Sequence, residues 1–420
     1  MLYTIMPFDH LSVVLFIAFI SYSLAQYSGT LQSVQILFRH GQRAPTNFLL
    51  FPTEDFKLLK GFTIEPGEMT NDGIVQEYQL GQNIRTTYDV FIGKRYVPSK
   101  LSVLTGVDNR TVVSASTVLA SLFPPQDDQI WKKYFNWQPI AIHTQPILDH
   151  VSFGALERCK ALLKFVEKST AYQKIVAEDS KLKSWLTALT GINVSDPILY
   201  NRVLDTLMSR ANLNQLPPPI WARNGTVQKL LTNKHRRLHS QIIDIFLSQS
   251  GGWIFDQFVD AIENRINQNT NHTLLLYSAH DASIQTIGKF LSVPELDTLP
   301  SFGAYMALEH HFKDGQNIIE LWYHPVLNGS RRLITIPNCT DPCSFETFKK
   351  LKPRVSSSSW MFTCQGQPPF CDDDTIVLGA MIGLTILLGI LSVLLIFVCC
   401  AYRHRLNKLL DPEQQSLLHS

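Results

Sequence analysis

Phe38-Arg39-His40-Gly41-Gln42-Arg43-Ala44-Pro45 closes the apolar run of residues 31–38 and places one imidazole between two guanidinium groups. Two planar, permanently charged cations can grip phosphate oxygens bidentately, and a ring held between them is placed to attack phosphorus. A short aliphatic run ending in such a cluster reads as a strand buried on both faces. A single His or a chance Arg-His pair is ordinarily a structural or solvated group, so the reading depends on partners elsewhere. In open α/β sheets ligands bind beyond the carboxyl ends of the strands. The residues after each further strand are therefore the ones that decide.

Residues 101–105 and 273–277 are two more short apolar runs. The first leads into Gly106-Val107-Asp108-Asn109-Arg110, which puts Arg110 at a helix N-terminus, where the backbone N–H groups favour an anion. The second leads into Ser278-Ala279-His280-Asp281, again at a helix start. Separate strand ends thus supply Arg39, Arg43, Arg110, His40, His280 and Asp281. Residues 111–123 carry a helical stripe at Val112, Ala115, Val118, Leu119 and Leu122, stopped by Pro124-Pro125. Strands alternating with helices predict an α/β fold with a mostly parallel sheet and flanking helices. Between 126 and 265 the texture changes. Residues 153–176, 182–189, 198–213 and 227–258 read as amphipathic helices, with a break at Pro217-Pro218-Pro219. The expected architecture is an α/β catalytic domain in two halves, 26–125 and 266–355, with a smaller helical insertion domain at 126–265.

These motifs, in this order, resemble those of the histidine acid phosphatase family: R-H-G-x-R-x-P at 39–45, Asp108–Ala115 and Ser278–Asp281. Stretches 67–88 and 137–144 are also similar, so the resemblance spans about residues 30–365. It is closest to the membrane-anchored lysosomal members. The resemblance implies a phosphoglycerate mutase-like fold, often homodimeric, that hydrolyses phosphate monoesters through a covalent phosphohistidine and needs no metal or cofactor. Carried onto this chain, His40 is the nucleophile and Asp281 the general acid, then the base for water. Arg39, Arg43, Arg110 and His280 hold the phosphate. A neutral His40 and a protonated Asp281 coexist near pH ~5 only in a strongly charged pocket, given reference values of about 6.5 and 3.9. Two departures stand out. The segment Phe302-Gly303-Ala304-Tyr305 lacks a cysteine that several relatives place shortly after the His-Asp motif, and Ala44 stands where relatives often carry Ser.

The ends of the chain predict a membrane anchor. Residues 11–20 and the small-x-small site Ser23-Leu24-Ala25 suit a cleaved signal peptide over 1–25, although residues 1–10 carry no Lys or Arg. An uncleaved anchor is the alternative. Residues 376–401 are uncharged and long enough to cross a ~30 Å hydrocarbon core. Asp372–Asp374 precede them and Arg403, Arg405 and Lys408 follow, which places the tail 402–420 in the cytosol. The expected topology is single-pass type I, with a stalk over 356–375. Glu413, Leu417 and Leu418 form an acidic dileucine pattern of the kind read by endosomal sorting adaptors.

Five cysteines lie between signal and span. Cys339 and Cys343 can close a small loop around Pro342; Cys159 would then pair with Cys364 or Cys371 and leave one over. No C-x-x-C or His pair completes a zinc pattern. Sequons at Asn193, Asn224, Asn271, Asn328 and Asn338 fit a glycosylated lumenal face, whereas Asn109, also a sequon, is expected to be bare because a glycan there would crowd Arg110. A net charge of +2 without a basic run outside the juxtamembrane tail gives no sign of nucleic-acid binding. Three narrower readings compete with a broad-specificity lumenal phosphatase: a phytase or lysophospholipid phosphatase, a mutase, and a catalytically silent binding protein. A phytase would want a basic rim that the sequence does not display. The secretory route argues against a mutase, and the intact His40, Asp281 and three Arg argue against a silent fold.

Overall fold

The computed structural model describes residues 30–52, 54, 55, 57, 62–149, 164, 166–245, 247–339, 341–352 and 373–409. The signal peptide, Cys159, Cys364, Cys371, most of the stalk and the Glu413–Leu418 pattern lie outside the described residues.

Strand β1 (Leu31–Arg39) is buried along nearly its whole length, as a central strand covered on both faces must be. It pairs in parallel with β4 (Leu274–Ala279), which pairs in parallel with β2 (Leu101–Thr105), which in turn takes the edge strand β3 (His143–Thr144). On its other side β1 pairs antiparallel with β5 (Tyr305–Lys313), followed by β6 (Gln316–His324) and β7 (Arg332–Ile334). The seven-stranded order is β3-β2-β4-β1-β5-β6-β7. The parallel half carries the motifs, and an antiparallel meander extends the other half, so the sheet is mixed where a mostly parallel one was expected. The hairpin between β5 and β6 turns on Asp314-Gly315, a two-residue connection that only antiparallel neighbours can use.

Helix α1 (Asn71–Ile92) starts at Thr70, whose hydroxyl accepts from the Gly73 amide. Helix α2 (Asn109–Leu122) ends just before Pro124-Pro125, and its Ala115, Val118, Leu119 and Leu122 pack with Val34, Ile36 and Phe38 of β1. The helical region contributes α3 (Thr170–Glu178), α4 (Ser180–Thr190), α5 (Pro197–Ala211), α6 (Gly225–Ile245) and α7 (Leu247–Ile266). The second half of α7 lies on the sheet: Phe258 meets Tyr277 ring to ring at 5.6 Å, and its carbonyl accepts from Gln35 Nε2 at 2.8 Å. Phe255, Phe258 and Ile262 are fully buried there, so this last helix of the region covers the sheet. Helix α8 (Asp281–Phe290) follows β4, and a short α9 (Phe345–Phe348) follows the loop closed by the Cys339–Cys343 disulfide.

Contacts divide the chain after Trp360. The C-terminal unit contains the 37-residue helix α10 (Asp373–Leu409). Its segment Leu387–Leu406 has a mean hydropathy of 2.0 and is long and apolar enough to cross a bilayer.

Candidate active site

The strand ends converge as their motifs require. After β1, the chain passes so close to the start of α1 that a Cβ at Gly41 would lie 2.4 Å from the Gly73 carbonyl oxygen. Glycine at both positions permits this approach. The Gly41 amide donates to Ser114 Oγ of α2 at 3.2 Å, tying the β1 loop to the helix that carries Arg110. His40, 3 % exposed, has Nδ1 2.8 Å from the Gly41 carbonyl oxygen. A carbonyl only accepts, so Nδ1 holds the ring proton and Nε2 is left with its lone pair. Burial, and then the charges of Arg110, His280, Arg39 and Arg43, hold this imidazole well below the usual histidine range.

The structure brings all six expected site residues into one cavity of about 380 Å3. Three of the arginines there, and His280, each face a carboxylate. Arg39 pairs with Asp281 at 2.9 Å, Arg43 with Asp205 at 2.7 Å, Arg110 with Asp108, and His280 with Asp149 at 2.8 Å. The Nε atoms of Arg39, Arg43 and Arg110 are buried with no partner among the described residues. Phe302 lies under the Arg39 guanidinium, 4.0 Å from its ring centroid, and fixes the plane of that group. Burial opposes ionisation of Asp281, but Arg39, His239 and His280 outweigh it and hold the carboxyl well below the usual range. Beside Arg39 the carboxylate is therefore the favoured form of Asp281.

Four further residues enter the site unannounced by the strand-end motifs. Asp149 is fully buried just after β3, where it also accepts from the Val107 amide at 2.6 Å. A Cβ at Gly106 would fall 1.8 Å from its carboxylate, so only glycine leaves it room. The strand-end rule applied to residues 143–144 would have found it. Asp205, on α5, grips Arg43 with both oxygens and accepts from Thr46 Oγ1 at 2.6 Å. Burial works against its charge, and Arg43 overrides that and holds it well below the usual carboxylate range. His235 and His239, on α6, line the same cavity. Nothing local in the sequence marks these three helical positions as parts of a site. Glu77, buried in α1 with neither oxygen partnered among the described residues, is driven well above the usual carboxylate range by burial, against the pull of Arg39.

Helix α5 is fastened to the segment after β1 by more than Asp205. Arg210 forms a buried ion pair with Glu54 and donates to the Leu49 carbonyl at 3.3 Å, and Thr206 donates to the Asn47 carbonyl at 3.1 Å.

Among the described residues, two groups gather three possible metal ligands: Asp108 with Asp149 and His280, and Glu309 with His311 and Glu320. The first is engaged with Arg110 and the Val107 amide, and Glu309 of the second with Tyr88 and Arg331. All five expected glycosylation asparagines are exposed, as a glycan needs. Asn109 is exposed as well, and its side-chain amide donates to Glu68 Oε1 at 2.8 Å.

Residues 30–189 match a family model described as "Histidine phosphatase superfamily (branch 2)". Prostatic acid phosphatase of Bos taurus is 29% identical over 346 residues, covering 80% of this chain and 87% of that protein. Lysosomal acid phosphatase of Rattus norvegicus is 27% identical over 380 residues, covering 87% of each. In fold, the chain is similar to the phytase of Citrobacter braakii, with a TM-score of 0.53 at 17% identity over 78% of this chain and 98% of that one. The cluster of His40 and three arginines at parallel strand ends is thus accompanied by a histidine phosphatase superfamily (branch 2) domain over residues 30–189 and by similarity to acid phosphatases along most of the chain.

Proposed function

We propose that this phosphatase hydrolyses orthophosphoric monoesters in an acidic lumen, with His40 as nucleophile. The observation that carries the reading is the state of His40: its Nδ1 is tied to the Gly41 carbonyl, and Nε2 keeps a lone pair inside a ring of three arginines. Nε2 attacks phosphorus, the ester oxygen leaves with a proton from Asp281, and water then displaces His40 from the phosphohistidine. The arginines carry the charge of the transferring group, the task a divalent ion performs in other phosphatases.

The carboxylate partners explain why acid favours the reaction. A phosphate that engages Arg39 removes the counter-charge of Asp281 and sets a second anion beside it. Both changes raise its proton affinity. Substrate binding is therefore coupled to proton uptake on the group that must later give a proton away.

The C-terminal apolar helix and the lysosomal relatives support a type I membrane enzyme of the endolysosomal route, glycosylated at the exposed sequons, with sorting adaptors at Glu413, Leu417 and Leu418. Homodimer formation is supported by the exposed aromatic cluster Trp131, Phe135 and Trp137, which leads into the edge strand β3. Light scattering on the detergent-solubilised chain, with Trp131→Glu beside it, tests this second point.

The deciding experiment is hydrolysis of an aryl phosphate from pH 4 to 8, with EDTA and without, beside His40→Ala. Activity near pH 5 that survives chelation and is lost in the variant is the expected result. A wild type silent at every pH overturns the reading in favour of a silent binding protein.

A further inference from the structure

The cavity wall opposite His40 carries a pair of imidazoles with no task in the chemistry above. His235 and His239 lie one turn apart on α6 and so share a face. Their ring centroids are 4.1 Å apart. His235 is 6 % exposed, and neither of its ring nitrogens has a hydrogen-bond partner among the described residues. A buried polar group without a partner destabilises the fold, so the polarity of this ring serves something other than packing. His239 Nε2 lies 3.3 Å from Asn201 Oδ1 of α5, and Asn201 lines the same wall.

The charge around the pair narrows what could bind. Burial first, and then His239 and Arg43, lower the proton affinity of His235 to a pKa of about 3, against the pull of Asp205 and Asp281; His239 is lowered as well. At lumenal pH the His235 ring is neutral, with one N–H and one lone pair. A hydroxyl group is likewise both donor and acceptor, which makes it the complement of a neutral imidazole. A second phosphate is not favoured here, because the carboxylates of Asp205 and Asp281 face the same space. A plain hydrocarbon chain would leave both His235 nitrogens without a partner.

We propose that His235, His239 and Asn201 form a leaving-group subsite for a polyhydroxylated alcohol, so that the preferred substrates are sugar or polyol phosphates. This rests on the phosphatase reading and specifies its substrate class. The test compares kcat/KM for glucose 6-phosphate with that for hexyl phosphate, which is similar in size but has no hydroxyls, with phenyl phosphate as a third ester. Wild type should prefer glucose 6-phosphate to hexyl phosphate. In His235→Phe and His239→Phe, which keep a ring and lose the nitrogens, that preference should fall roughly tenfold each. His235→Gln, which restores a donor and an acceptor, should recover part of it. Because the readout is a ratio within one preparation, partial misfolding does not imitate it. Turnover of phenyl phosphate with an unmoved ratio, or a wild-type preference for hexyl phosphate, overturns the subsite alone. Failure of wild type to hydrolyse any of the three esters overturns the phosphatase reading and the subsite with it.

Discussion

On the sheet side of the cavity, Arg39, His40, Arg43, Arg110, His280 and Asp281 each stand within a few residues of the end of a parallel strand. On the helical side, Asn201 and Asp205 of α5 and His235 and His239 of α6 come from the middles of helices, spaced one turn apart. The first wall carries charge that the chemistry requires of any substrate. The second holds that charge in place and meets the alcohol. In the proposed reading the sheet wall carries the reaction and the helical wall chooses the substrate, with Arg43–Asp205 as the stitch between them.

The sharpest way to break this division is through Asp281. Asp281→Asn should reduce kcat on an alkyl phosphate by about 10^2–10^4-fold. It should reduce kcat far less on nitrophenyl phosphate, whose leaving group needs no proton. Equal losses on both esters would remove the acid from the sheet wall. The stitch comes next. Asp205→Ala strands a buried guanidinium, and a denaturant titration should read a loss of about 3 kcal/mol together with a raised KM.

A third test uses pH. His235 has its folded pKa lowered to about 3, so below the unfolded value of about 6.5 the unfolded chain binds a proton that the native one refuses. Its contribution therefore erodes stability as pH falls from ~6.5 toward ~3, and His40 acts in the same direction. Asp205 and Asp281 have depressed folded values, so their contribution is present above about 3.9 and is lost only at lower pH. His235→Phe should accordingly stabilise the protein at pH 4.5 by on the order of 2 kcal/mol relative to its effect at pH 7.5. A pH-independent effect would mean that the ring takes up its proton at the same pH in the native and the unfolded chain. The smallest expected effect is at Asp149. Asp149→Asn loosens the orientation of His280, and kcat/KM should fall roughly tenfold, about 1.4 kcal/mol.

The parts legible from sequence share one property. The runs at 31–38, 101–105 and 273–277 became β1, β2 and β4 almost residue for residue, because central strands buried on both faces are continuous apolar stretches. The antiparallel half was harder to read. Strand β5 is buried along Tyr305–His311 yet includes Glu309, satisfied by Tyr88 and Arg331, His310, satisfied by Asn317, and His311, satisfied by Thr30 and Glu309. Helix α7 looked like the end of the insertion because amphipathicity marks a buried face without saying what buries it.

From the sequence alone His40, the three arginines, the pair His280-Asp281 and the strand ends that carry them could be picked out. A reacting group and the backbone that aims it must be close along the chain when a strand end presents them. Tertiary structure decided which carboxylate opposes each cation, that Asp149 fits only because residue 106 is glycine, and that two histidines one helical turn apart face the catalytic cavity. Arg39 and Asp281, Arg43 and Asp205, and Val107 and Asp149 are far apart along the chain, and only packing brings them within reach of one another.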